Sequence, residues 1–130
     1  MIRYFQPRCM PESHAPFTQV VIDDTYAHLA GIVAADFPEG QSVLGDANNE
    51  TLAVMTLIEN ILGELNLGFS QVVRIDVHLA SLDDFDAMDA AYREFFEPGK
   101  YPARTTTESV HLFGDSLVEM TCMVRLNNTL

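Results

Sequence analysis

The chain has 130 residues, 48% of them hydrophobic and 20% charged, with a formal net charge of −12 at pH 7. This profile excludes an intrinsically disordered chain and fits one domain, 1–130, able to bury a core of its own. Its seven lysines and arginines are scattered singly, which argues against nucleic acid and anionic membrane as partners, because both are held by clustered cations.

The first part, to about residue 16, is Pro-rich and predicts irregular chain, either a loose start or an arm laid on a neighbour. It lacks the apolar run of a signal peptide. Cys9 and Cys122 lie far apart and form no CxxC unit, so the expectation is reduced thiols in a cytoplasmic setting. Residues 19–22 are β-branched, Asp23-Asp24-Thr25 signals a turn, and residues 26–34 run apolar again: a β-hairpin. Residues 36–49 are rich in Gly, Pro, Asp and Asn and predict a loop.

Leu52, Met55, Ile58, Leu62 and Leu65 recur at helical spacing over 51–65, with Asn48 or Asn49 as the cap and Gly68 as the stop. Val73, Ile75, Val77 and Leu79 alternate with Arg74, Asp76 and His78, which predicts a strand with one buried face. Ser81-Leu82-Asp83-Asp84 reads as a capped helix start, Phe85, Met88, Tyr92, Phe95 and Phe96 form its apolar stripe, and Pro98-Gly99 ends it. Strands are expected over 105–112 and, after the Gly114-Asp115 turn, over 117–126. The order β-β-α-β-α-β-β predicts an α/β domain of the α+β type: one mixed sheet, both helices on one face. The other face is then open or covered by a second copy.

Two residues stand out chemically. Arg104 follows Pro102 at the mouth of a strand, and its guanidinium fork matches a carboxylate. Spacing alone favours an ordinary surface ion pair for it. Glu119 interrupts an otherwise apolar strand, on the face of Leu117, Thr121 and Met123, where a carboxylate is either functional or paired with an arginine. The four histidines form no metal-ligand spacing, and there is no nucleophile elbow, Walker loop or dinucleotide fingerprint. No metal or other cofactor is called for.

Ala15-Pro16-Phe17-Thr18-Gln19, Ala30-Gly31, Ile58-Glu59-Asn60-Ile61-Leu62, Val72-Val73-Arg74-Ile75, the segment from Asp84 to Tyr92, Phe95-Phe96, Tyr101-Pro102-Ala103-Arg104 and Leu117-Val118-Glu119-Met120 together resemble the reactive-intermediate deaminases, the RidA/YjgF family. The likeness runs from about 15 to 126. It implies a chorismate-mutase-like fold, a homotrimer with inward-packed sheets, and clefts between subunits that take a small carboxylate-bearing ligand. Family members hydrolyse imines and enamines to 2-keto acids and ammonia without a metal. The resemblance makes Arg104 the carboxylate anchor and Glu119 the group beside the attacking water.

It also places Phe17, Ala30, Gly31, Asp89 and Thr106 in the substrate pocket. Four of these depart from the family's usual Tyr, Ser, Asn and Cys, and Ile32 replaces a glutamine. Phe17 and Ala30 each remove a hydroxyl, Asp89 replaces an amide with a charge that can repel an anionic substrate, and Thr106 keeps a small polar group. The pocket is therefore expected to be more apolar than usual. That leaves a binding protein for keto or amino acids as the second reading. The RNA-cleaving activity attached to some relatives conflicts with the net charge of −12.

Overall fold

Side chains of a strand alternate between the two faces of its sheet, so burial along each strand shows which face meets the helices. In the computed structural model, which describes residues 1–127, this alternation is regular over 75–79 and 118–124, while Val73, expected on the buried face, is exposed and Val72 is buried in its place. The strands are β1 (Arg3–Phe5), β2 (Val20–Ile22), β3 (Tyr26–Val33), β4 (Val72–Leu79), β5 (Ala103–Glu108) and β6 (Val118–Arg125). They form one six-stranded sheet in the order β1-β2-β3-β6-β4-β5. Neighbours are antiparallel except β4 and β5, which run parallel. That pair needs a crossover, and the helix between them supplies it.

The helices are α1 (Pro38–Gln41), α2 (Ala47–Glu64) and α3 (Phe85–Tyr92), with short 3-10 turns between elements. Ile75, Val77 and Leu79 of β4 and Val118, Met120, Cys122 and Val124 of β6 share one core with Val54, Ile58 and Leu62 of α2 and Met88 and Tyr92 of α3. Each fully buried side chain of this kind contributes roughly 1.5–3 kcal/mol. Both long helices thus cover one sheet face, as the residue pattern predicts. The opposite face is polar and half-exposed. On it Arg74 bonds Asp76 at 2.9 Å and Thr105 at 2.7 Å, and His78 Nδ1 lies 2.8 Å from Thr107 Oγ1.

Several expectations are corrected. The N-terminal segment is not irregular throughout: Arg3, Tyr4 and Phe5 pair with Ile22, Val21 and Val20 and close one edge of the sheet. Further along, the Arg8 and Cys9 amides each donate to Glu64 at 2.9 Å, tying the segment to the end of α2. The stretch 36–49 is not all loop. Pro38 opens α1, where its missing N–H costs nothing. The cap of α2 is Asp46, not Asn48 or Asn49; its carboxylate accepts from the Asn49 amide at 3.0 Å. The helix ends before Gly68. Asn66 takes the left-handed conformation (φ 58°), and the Leu67 amide reaches back to the Leu62 carbonyl at 2.8 Å, a Schellman closure. β5 begins and ends earlier than the Thr-rich run suggests, because its partner β4 stops at Leu79, opposite Glu108. Ser81 caps its turn as expected, accepting from the Asp83 amide at 3.1 Å.

One buried acid ties the frame together. Glu50 is fully buried and accepts from the Gly45 amide at 2.9 Å and the Leu117 amide at 2.8 Å. It joins the loop before α2 to the entry of β6, the strand that carries Glu119. Among the described residues, no helix is long and apolar enough to cross a membrane.

Candidate functional site

The residues singled out in the sequence fall into two groups on two sides of the sheet. Arg104 pairs in register with Ile75, and Ile75 with Cys122, so Arg104 shares the helix-covered face. Glu119 pairs with His78, one residue out of phase with that row, so it lies on the open face. A single chain therefore does not bring Arg104 and Glu119 together.

The first group surrounds Arg104. Its guanidinium carbon lies over two rings, 4.8 Å from the Tyr92 centroid and 5.4 Å from that of Phe85. Such contacts hold a cation in place and add attraction of their own. Arg104 Nη1 meets Asp89 Oδ1 at 2.7 Å, and the other oxygen of Asp89 meets Arg93 Nη2 at 3.0 Å. These three residues, with Tyr92, Tyr101 and Pro102, line a pocket of about 250 Å³. Tyr92 is nearly fully buried; its hydroxyl has no hydrogen-bond partner among the described residues, and burial pushes its pKa up to about 12. Thr106 shares Arg104's side of β5, in register with Val77, but does not line the pocket.

The second group surrounds Gly31. The β3–β6 pairing shifts register between Leu29 and Ile32, and this irregularity carries Ala30 and Gly31. Irregularities of this kind re-aim the chain locally. The nearly buried Gln19 holds the spot: its carbonyl accepts from the Ala30 amide at 2.8 Å, and its side-chain amide donates to the Ala30 carbonyl at 3.2 Å. Both backbone groups of Ala30 are thus taken by Gln19. Gly31 lies against Glu119, and a Cβ at Gly31 would run into Glu119 Oε2. A side chain here is admitted only if the end of Glu119 moves aside. Phe17, Gln19, Gly31, Asp36 and Phe113 line a larger cleft of about 560 Å³ that includes part of the N-terminal segment. Burial raises the pKa of Asp36 here.

Sequence reasoning gave Phe85 and Tyr92 a place only in the apolar stripe of the helix, and gave no site role to Arg93, Asp36 or Phe113. Arg93 is one helical turn after Asp89, so the i,i+4 pair is visible in the sequence once the helix is drawn. Phe113 was not reachable that way. The tight turn at Gly114 and Asp115 (φ 64° and 59°) brings it over, and Gly114 packs so closely on Ala35 that a Cβ would collide with it. Among the described residues, no cluster of His, Cys, Asp and Glu could hold a metal ion.

The family described as Endoribonuclease L-PSP matches residues 8–126. A RutC family protein of Synechocystis is 31% identical over 127 residues, covering 96% of this chain and 97% of that protein. A 2-iminobutanoate/2-iminopropanoate deaminase of Capra hircus is 30% identical over 110 residues, covering 85% of this chain and 80% of that one. A solved structure of a Rid family protein from Yersinia pestis superposes with a TM-score of 0.87 at 17% identity, covering 97% and 100% of the two chains. Matched over nearly its whole length, the chain belongs to the RidA/YjgF family.

Proposed function

We propose that the protein hydrolyses small 2-imino acids to 2-keto acids and ammonia. The observation that carries this reading is Arg104, held over the Tyr92 and Phe85 rings at a small pocket, with Nη1 engaged by Asp89. Its remaining N–H groups form a fork suited to a carboxylate. Relatives at about 30% identity that carry the 2-iminobutanoate/2-iminopropanoate deaminase name support it.

In this reading the working cleft joins two copies of the chain, as in a homotrimer. One copy contributes the Arg104 pocket and the next contributes Gly31, Phe17 and Glu119. The open sheet face is where such copies pack. Arg104 holds the substrate carboxylate and fixes the imine carbon. Glu119 takes a proton from a water as its oxygen bonds to that carbon and the C=N electrons pass to nitrogen. Glu119 returns that proton to the nitrogen of the carbinolamine, which then collapses: Glu119 takes the hydroxyl proton as C=O forms, C–N breaks, and the nitrogen leaves as ammonia, which carries the last proton away as ammonium. An acid/base group of this kind supplies about 10²- to 10⁴-fold, and the protonated imine is electrophilic enough to need no metal.

The test is keto-acid release from imines generated in situ by an amino-acid oxidase, wild type beside Arg104→Ala. Acceleration by wild type that is lost in the variant is expected. Equal release by both would end the proposal. A second reading, a binding protein for keto or amino acids, is favoured by Phe17 and Ala30, which lack hydroxyls to steer a water. It predicts ligand binding that depends on Arg104 without any turnover.

A further inference from the structure

Arg104 is not an open anchor. One carboxylate, Asp89, already sits on it, and the same carboxylate is held from the other side by Arg93. Both oxygens of Asp89 are thereby fixed, Oδ1 on Arg104 and Oδ2 on Arg93. All three side chains line the same pocket, and Asp89 and Arg104 are each about three-quarters buried at their side chains. Arg93 is more exposed and closes the outer side.

A ligand carboxylate that docks on the free N–H groups of Arg104 must lie beside Asp89 Oδ1. The atom it presents to that oxygen decides the outcome. A carbonyl oxygen on the α-carbon brings two acceptors together, with no proton between them. An ammonium or iminium nitrogen on the same carbon brings a charged donor within hydrogen-bond reach of a carboxylate, and such charge-assisted bonds are the strong ones. The two flanking guanidiniums offset the charge of Asp89, so the pocket still admits an anionic group next to it.

Resting on the reading of Arg104 as a carboxylate anchor, we infer that Asp89 is the specificity-determining residue of this pocket: it selects ligands with a cationic nitrogen on the carbon next to the carboxylate and disfavours the 2-keto acid. Substrate and product then differ at the atom Asp89 touches. The iminium is held and the ketone is released. Asp89 also favours the protonated, electrophilic form of the imine, a positioning and charge role that Glu119, on the other face, does not duplicate.

The experiment compares binding of two probes, L-alanine and pyruvate, by calorimetry. They share a carboxylate and a methyl group and differ in the nitrogen. Wild type is expected to bind L-alanine the more tightly. Asp89→Asn, nearly the same shape, should weaken L-alanine by about 10-fold and strengthen pyruvate by a few fold, reversing the preference. Arg93→Gln, which leaves Asp89 on Arg104 alone, should weaken pyruvate a few fold and spare L-alanine. Arg104→Ala should abolish both. Asp89→Asn moving both probes in the same direction, or moving neither, overturns the inference while the anchor reading stands. Retention of both probes by Arg104→Ala overturns the anchor reading instead. Failure of wild type to bind either probe overturns both. Thermal melting of each variant separates these outcomes from loss of fold.

Discussion

The Arg104 pocket and the Gly31–Glu119 cleft are built in opposite ways. The first is small, charged and backed by the core: Tyr92 belongs to the same buried cluster as β4 and β6, so Arg104 stacks on a rigid surface. The second is larger and lined by Phe17, Phe113 and a piece of the N-terminal segment, with much of its apolar lining exposed. A guanidinium whose place is set by packing can orient a ligand, while Glu119, half-buried against Gly31 beside the roomy cleft, can meet water. On the proposed reaction, each cleft serves a different part of one hydrolysis.

The sharpest way to break this contrast is Glu119→Gln. If the second cleft handles the water, kcat should fall about 10²- to 10⁴-fold with little change in KM. A rise in KM instead would make Glu119 part of binding. Next comes Arg104→Lys, which keeps the charge and loses the planar fork. KM should rise about 10-fold, with the fold intact by circular dichroism. An unchanged KM would reduce the anchor to a point charge. Gly31→Ala tests the second cleft from its backbone. The new methyl must push Glu119 aside, and because the displaced atom is the end of a flexible side chain, stability should drop by less than about 1 kcal/mol while kcat falls several fold. Equal losses of both would make Gly31 a folding residue.

The smallest effect lies outside both clefts. Asp23, in the β2–β3 turn, has its carboxyl lowered to about 2, first by the His28 ring and then by the Tyr26 and Thr25 amides. A carboxyl lowered on folding stabilises above its ordinary value of 3.8, and that contribution is lost as pH falls toward 2. The melting temperature of Asp23→Asn should therefore lie below wild type at pH 7, with the gap closing between pH 3.8 and 2. Turnover should be unaffected. A gap that persists at pH 2 would trace the effect to the turn geometry.

Much of this arrangement was legible in the residues. The alternation from Ile75 to Leu79 and along β6, with the helical stripe of α2, identifies the core face because period and burial coincide; Val73 breaks it, because β4 shifts register against β6 between Val72 and Arg74 and Val72 is buried instead. Arg104 was visible as a cation placed after a proline at a strand mouth. What was hidden follows from pairing. β1 is three residues long and carries no pattern of its own, so only its contact with β2 makes it a strand. Asp46, Asn48 and Asn49 are equally good caps by type, and only the turn geometry selects among them. That Arg104 and Glu119 point to opposite faces depends on the register of β4 with β5 and β6, which no single strand encodes.

The opposed placement of those two side chains has a consequence for mixtures. On the proposed pairing of copies, each cleft takes its arginine from one chain and its glutamate from another. Arg104→Ala and Glu119→Gln chains, each inactive when pure, would then complement each other when unfolded and refolded together, because a mixed assembly regenerates some clefts with both residues native. The regained fraction would follow the mixing ratio and vanish at either extreme, the mark of a catalyst whose unit is the contact between chains.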